Sequence, residues 1–215
     1  INTPREIQTA AGKLKQSDRL LFVGSCFADN IGRRFKDNAF QATVNPYGVM
    51  YNPVSVLHTL QRLAEGQGEE RRMDYDFVII TLGTNHVYRE KSTGEIVDNC
   101  QKRPQRLFQE EILSVEECTA TLRQCLQLCR DSQVILTVSP IRYKKYGFHE
   151  SQLSKATLLL AINNIIRKEA AYFPAYEIVL DELRDYRFYA PDMIHPSEQA
   201  IDYIFERFRE TYFSP

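Results

Sequence analysis

Three uninterrupted apolar runs constrain the fold most: Leu20-Leu21-Phe22-Val23, Phe77-Val78-Ile79-Ile80-Thr81-Leu82 and Val134-Ile135-Leu136-Thr137-Val138. A strand with one wet face alternates apolar and polar residues. Runs without alternation need cover on both faces, as parallel strands sandwiched between helices have. The intervening chain supplies such helices. Spacing predicts helices over 28–37, 53–66, 115–130 and 152–168, and a last one running from Ser197 to about Thr211. Asn52 followed by Pro53 starts the second, and Ser114 with Glu117 makes a capping box for the third. Shorter strands are expected at 42–44 and 177–180. Right-handed β-α-β crossovers then give an α/β protein with a three-layer α/β/α, doubly wound, mainly parallel sheet of flavodoxin-like type. The stretch 86–98, with Lys91-Ser92-Thr93-Gly94 at its tip, is expected to leave the sheet as a hairpin.

A chain of 215 residues, 43% hydrophobic and 26% charged, fits one domain over 1–215 with a full core. Lys and Arg number 27 against 28 Asp and Glu, so no bulk charge draws the chain to nucleic acid or anionic lipid. No apolar run approaches the roughly 20 residues of a membrane-spanning helix. Five cysteines show no zinc spacing and no C-x-x-C pair. Cys118, Cys125 and Cys129 recur at helical spacing and are expected in the core. An odd cysteine count favours a reducing, cytoplasmic setting. Because the chain begins at Ile1, a removed leader and a periplasmic or secreted location stay open. Nothing points to a metal or a cofactor, and oligomeric state is not legible.

In a doubly wound sheet, ligands bind beyond the carboxyl ends of the strands. Those ends read Gly24-Ser25-Cys26, Asn45-Pro46-Tyr47-Gly48, Gly83-Thr84-Asn85-His86, Ser139-Pro140-Ile141-Arg142, and the loop from Asp181 to His195. A hydroxyl and a thiol at a strand-to-helix turn offer a nucleophile where helix N–H groups favour negative charge. Asp192 and His195, three apart between Pro191 and Pro196, offer a base and the carboxylate that orients it. Successive side chains point to opposite faces, so one of Ser25 and Cys26 faces the histidine, and the residues leave open which.

The set resembles the SGNH (GDSL-like) hydrolase superfamily and, within it, the GSCFA domain family, whose motif stands at Gly24 to Ala28. The resemblance continues through Asn45-Pro46-Tyr47-Gly48-Val49-Met50-Tyr51-Asn52-Pro53, Thr81-Leu82-Gly83-Thr84, Thr137-Val138-Ser139-Pro140-Ile141-Arg142, Gln152-Leu153-Ser154-Lys155-Ala156, Tyr172 to Glu177, Asp181 to Ala190, and Asp192-x-x-His195-Pro196-Ser197. It implies an SGNH-type fold and acyl hydrolysis or transfer on an ester, an O-acyl group on a carbohydrate or other small molecule. Register puts Cys26 at the nucleophile position, with Ser25 as rival. Gly48 and Asn85, within Gly83-x-Asn85, then correspond to oxyanion donors, and His86 replaces the aspartate of that block. A thiol in place of the superfamily's hydroxyl puts ordinary ester hydrolysis in question and favours acyl transfer. The connection from Leu63 to Asp76 is shorter than the family pattern.

Blander readings accompany these. Gly24 could serve only close helix–strand packing, Cys26 only the core, and Asp192 with His195 only a helix-entry turn. Asn85 could bond backbone at a turn, and His86 could begin the hairpin. His58 reads as a satisfied or half-exposed histidine. The basic loop of Arg142, Lys144, Lys145 and His149 reads first as solvated surface, with an anionic substrate group as the alternative. Arg184 and Arg187 fit an ion-pair network as well as a pocket. A non-catalytic glycan-binding or scaffold domain is the competing functional class.

Overall fold

The computed structural model describes residues 13–66, 73–167 and 170–213. Five parallel strands form the main sheet in the order β2-β1-β3-β7-β8, with β1 at Arg19–Gly24, β2 at Gln41–Val44, β3 at Phe77–Leu82, β7 at Gln133–Val138 and β8 at Ala170–Phe173. The chain runs from β1 outward to β2, then crosses back over β1 to β3, so the strand order reverses between β1 and β3. A crevice opens at the carboxyl ends of strands at such a reversal.

Alternate side chains of each strand feed two separate cores, as the pleat requires. Leu21, Val23, Val78, Ile80 and Leu136 pack under α2 (Pro53–Ala64), α3 (Val115–Leu128) and α4 (Phe148–Asn163). Leu20, Phe22, Phe77, Ile79 and Ile135 pack against α1 (Cys26–Asp37) and α6 (Glu198–Tyr212). The second core is aromatic, with the Phe35 ring 5.1 Å from that of Phe205 and 5.5 Å from that of Phe208. Cys118, Cys125 and Cys129 are buried in the first core, as their spacing predicts. Asn52 caps α2 by accepting from Ser55 N–H at 2.9 Å, and the Ser114–Glu117 capping box closes both ways.

Three sequence expectations need correction. No strand forms at 177–180. There, a single turn, α5 (Ala175–Glu177), runs into a π-helical turn over Ile178–Leu183, and the edge strand lies earlier at Ala170–Phe173. The earlier stretch pairs with β7 from Val134↔Ala170 to Thr137↔Phe173, and the carbonyl of Phe173 accepts from the Thr137 hydroxyl at 2.6 Å. Helix α4 also begins four residues before its predicted start. The excursion is larger than a hairpin: β4 (His86–Glu90) pairs with β5 (Ile96–Val97) on one side and β6 (Phe108–Ile112) on the other, all antiparallel. The shortened connection from Leu63 to Asp76 lies in part outside the described residues.

Candidate active site

Gly24 ends β1 opposite Thr81 of β3. Its φ is +144°, and a Cβ there would sit 2.0 Å from the Thr81 carbonyl oxygen, so only glycine lets the strand turn this close to its neighbour. Ser25 is fully buried in that turn. Its N–H donates to the Thr81 carbonyl, its Oγ lies 3.1 Å from Thr81 Oγ1, and as N-cap of α1 it accepts from Phe27 N–H at 3.3 Å. The turn directs the next residue outward. Cys26 is half-buried, Sγ is 3.4 Å from the Tyr51 hydroxyl, and its N–H, the first of α1, has no acceptor among the described residues. Burial, together with the neighbouring Cys26 sulfur, pushes the Tyr51 phenol well above its ordinary range, so its proton stays on oxygen, available to the sulfur.

The partner pair comes from the loop before α6. Asp192 Oδ2 lies 2.6 Å from His195 Nδ1, and Asp192 Oδ1 accepts from the N–H groups of Ile194 and His195 at 2.9 and 3.0 Å. These bonds, the histidine first, lower the Asp192 carboxyl to about 2. Arg142 holds the loop from the end of β7: its N–H donates to Ile194 O at 3.0 Å and its Nη1 to Met193 O at 3.1 Å. With Nδ1 engaged, Nε2 is the nitrogen left for chemistry.

Cys26 and His195 line one cavity of about 660 Å³, together with Tyr51, Thr84, His86, Tyr143 and Tyr146. The carboxyl ends of β1, β3 and β7 form its floor, and the accessory sheet contributes His86, Tyr88, Phe108 and Glu110. Aromatic rings form a continuous wall. His86 stacks on Tyr146 at 3.8 Å, Tyr146 on Tyr143 at 5.5 Å, and Tyr143 meets Tyr51 edge-on at 6.4 Å. His86 Nδ1 is also 2.6 Å from Glu110 Oε1.

The other predicted residues have different geometry. Ser25 does not line the cavity, its oxygen being held by Phe27 and Thr81. Asn85 is buried under the accessory sheet, where its Nδ2 donates to Leu113 O at 2.9 Å, and it does not line the cavity; its Oδ1 is buried without a partner. Gly48 N–H donates to Asn45 O at 2.9 Å within its own turn. Gly83 N–H donates to Tyr51 O, and the missing Cβ leaves room for Tyr143, whose hydroxyl would lie 2.1 Å from such an atom. His58 pairs with Asp98 at 2.8 Å, half-exposed.

Tyr51 and Tyr143 are the residues that sequence reasoning missed. Both stand inside or beside the stretches that carry the family resemblance, Tyr51 between Met50 and Asn52 and Tyr143 after Arg142, and an aromatic there reads as core. The Tyr143 hydroxyl is buried without a hydrogen-bond partner, although its ring borders the cavity. An orphaned buried hydroxyl costs stability, so its presence asks for an explanation. Among the described residues no group of His, Cys, Asp and Glu could hold a metal ion, and no helix is long and apolar enough to cross a membrane.

Comparison with known proteins follows the same lines. The profile of the GSCFA family matches residues 19–75 and 67–208, two segments that meet in the connection read as short. No curated protein matches the chain. Among solved structures, a GDSL-like lipase from Bacteroides thetaiotaomicron superposes with a TM-score of 0.55 at 15% identity, over 90% of this chain and 86% of that one. A catalytic mutant of Axe2, an acetylxylan esterase from Geobacillus stearothermophilus, gives 0.54 at 14% identity, over 94% and 97%. LAE5, an alpha/beta hydrolase from the metagenome of Lake Arreo, Spain, gives 0.53 at 12%, over 93% and 96%. At these identities the likeness is one of fold: the α/β/α architecture of GDSL-like hydrolases.

Proposed function

Because the chain belongs to the GSCFA family, on a fold shared with GDSL-like esterases, we propose that it hydrolyses or transfers an O-acyl group with Cys26 as nucleophile. One observation carries the reading: the outward-facing thiol at the first position of α1 and the His195–Asp192 pair border the same cavity at the strand reversal.

In the proposed cycle, His195 Nε2 accepts the Cys26 thiol proton, and Asp192 holds Nδ1–H and offsets the imidazolium charge. Sulfur attacks the ester carbonyl and a tetrahedral oxyanion forms. The unpaired Cys26 N–H, at the positive end of α1, is the donor best placed to receive it. Collapse breaks the C–O bond, and the imidazolium proton goes to the departing alkoxide. The acyl thioester is then attacked by water or an acceptor hydroxyl, whose proton His195 takes and returns to sulfur. Tyr51 donates to the sulfur whenever it is a thiolate, which lowers the cost of each state with a free thiolate. A carbohydrate alcohol as the carrier of the acyl group is part of the proposal, supported by an acetylxylan esterase among the structural neighbours.

The test is the kcat/KM of wild type, Cys26→Ala and His195→Ala on 4-nitrophenyl acetate. Both variants should lose at least about 10³-fold with unchanged thermal unfolding. Turnover that survives either substitution removes the thiol–histidine mechanism.

A further inference from the structure

A second cavity of about 560 Å³ adjoins the first and shares Ile141 and Arg142 with it. Its walls come from the end of β7, from α4 and from the loop before His195. Two properties set it apart. Its rim exposes large apolar side chains together: Phe148 is 61% exposed, Tyr186 66%, Leu180 39% and Met193 37%. Half of the large hydrophobic residues exposed among the described residues thus border this one hollow. Scattered exposed apolar residues need no explanation, but a grouped set beside a candidate active site does. Its charge is also one-sided. Arg142, Lys144 and the buried Lys155 line it, and no described carboxylate does.

Arg142 stands at the junction. Its guanidinium carbon lies 4.8 Å from the Phe148 ring centroid, 5.4 Å from Tyr189 and 5.5 Å from Tyr186, and Nη1 is tied to Met193 O. Rings on several sides and a backbone tether fix a side chain that is otherwise costly to order. Among the described residues no carboxylate pairs with it. A held, charged fork with donors to spare is a receptor for an oxyanion.

Taking the esterase reading as its premise, we propose that the second cavity is a subsite for a sugar ring that carries a carboxylate, next to the ring that carries the ester. Arg142 takes the carboxylate at the junction. Tyr186 and Tyr189 offer flat faces for the C–H face of a pyranose, and Gln152 and Ser151 offer hydrogen bonds for its hydroxyls. The substrate class is therefore an O-acylated acidic oligosaccharide. A fatty acyl tail would leave the Arg142 charge and these polar groups facing hydrocarbon, which the walls do not favour.

Binding rather than turnover tests this, so it is read separately from the esterase chemistry. Isothermal titration with trigalacturonate, which bears carboxylates and no ester, is compared with neutral xylotriose. The subsite predicts trigalacturonate binding at least tenfold tighter than xylotriose and weakened by added salt. Arg142→Gln should lose at least tenfold of the trigalacturonate affinity. Tyr186→Ala, on an exposed ring with little packing to lose, should lose about threefold or more. Equal affinity for the two trisaccharides, no binding of trigalacturonate at 10 mM, or affinity untouched in both variants overturns the proposal. Acidic-sugar binding by a wild-type protein without ester turnover would uphold the subsite and remove the acyl-transfer chemistry instead.

Discussion

Ser25 Oγ lies 3.1 Å from Thr81 Oγ1, in the interior, while the next side chain, Cys26, opens onto the cavity. Adjacent residues at one turn thus divide two positions, the serine capping the helix and the cysteine lining the cavity that His195 also borders. Replacing each separates them. Ser25→Ala loses an N-cap, a cost of about 1 kcal/mol, and so lowers Tm by roughly 2–4 °C while turnover persists. Cys26→Ala abolishes turnover and leaves Tm near its starting value. Thermal scans beside ester kinetics check both.

Tyr143 presents the opposite balance. Its hydroxyl is buried without a partner, and burial pushes the phenol far above its ordinary range, so the proton stays on oxygen. Tyr143→Phe removes only that oxygen. Turnover should hold, because the oxygen sits against Gly83 and out of the cavity, and stability should hold or rise because an unsatisfied polar atom is gone. A Tyr143→Phe variant that folds but loses turnover in ester kinetics would contradict this placement.

Lys155 is buried with no carboxylate nearby; it donates to Gly83 O at 2.8 Å and Ser139 O at 2.7 Å, bracing the ends of β3 and β7 beneath the site. Burial lowers its pKa to about 7. The unfolded chain keeps that proton to roughly pH 10.4, so between about 7 and 10 the unfolded state binds more protons and stability rises with pH. The contribution is lost as pH falls through 7. Lys155→Met removes this dependence and leaves two carbonyls unbonded, each costing about 1–3 kcal/mol. Subtracting the variant's urea unfolding free energy from that of wild type at pH 6, 8 and 9.5 should give a difference that grows with pH, by at most about 1.4 kcal/mol per unit.

How much of this was legible depends on where the physics is local. β1, β3 and β7 announce themselves because buried parallel strands must be apolar throughout, and the α2 and α3 starts because their caps bond within three residues. Asp192 and His195 were legible for the same reason, their contact being made inside one loop. The edge strand was misplaced because Ile178-Val179-Leu180 has the stronger β character, yet Ala170-Ala171-Tyr172-Phe173 is the stretch that reaches β7. Helix α4 has Gly147 as its N-cap, which supplies no capping side chain to read. Asn85 and Gly48 were assigned by register. Asn85 lies outside the cavity with Nδ2 donating to Leu113 O, and the Gly48 N–H goes to Asn45 O, partners that the sequence does not disclose. The third strand of the accessory sheet and the packing of Tyr51 and His86 into the tyrosine wall depend on contacts across 18 residues or more, and so emerge only from the fold.

The central claim is that the Cys26 sulfur carries the acyl group. Brief exposure to 4-nitrophenyl acetate, followed by intact-mass and peptide mapping of wild type and His195→Ala, tests it most directly. The account predicts one acetyl on the peptide bearing Cys26, labile to hydroxylamine as a thioester is, and absent from the His195→Ala protein. Acetyl found on Ser25, or on neither residue in a folded wild-type protein, would contradict it.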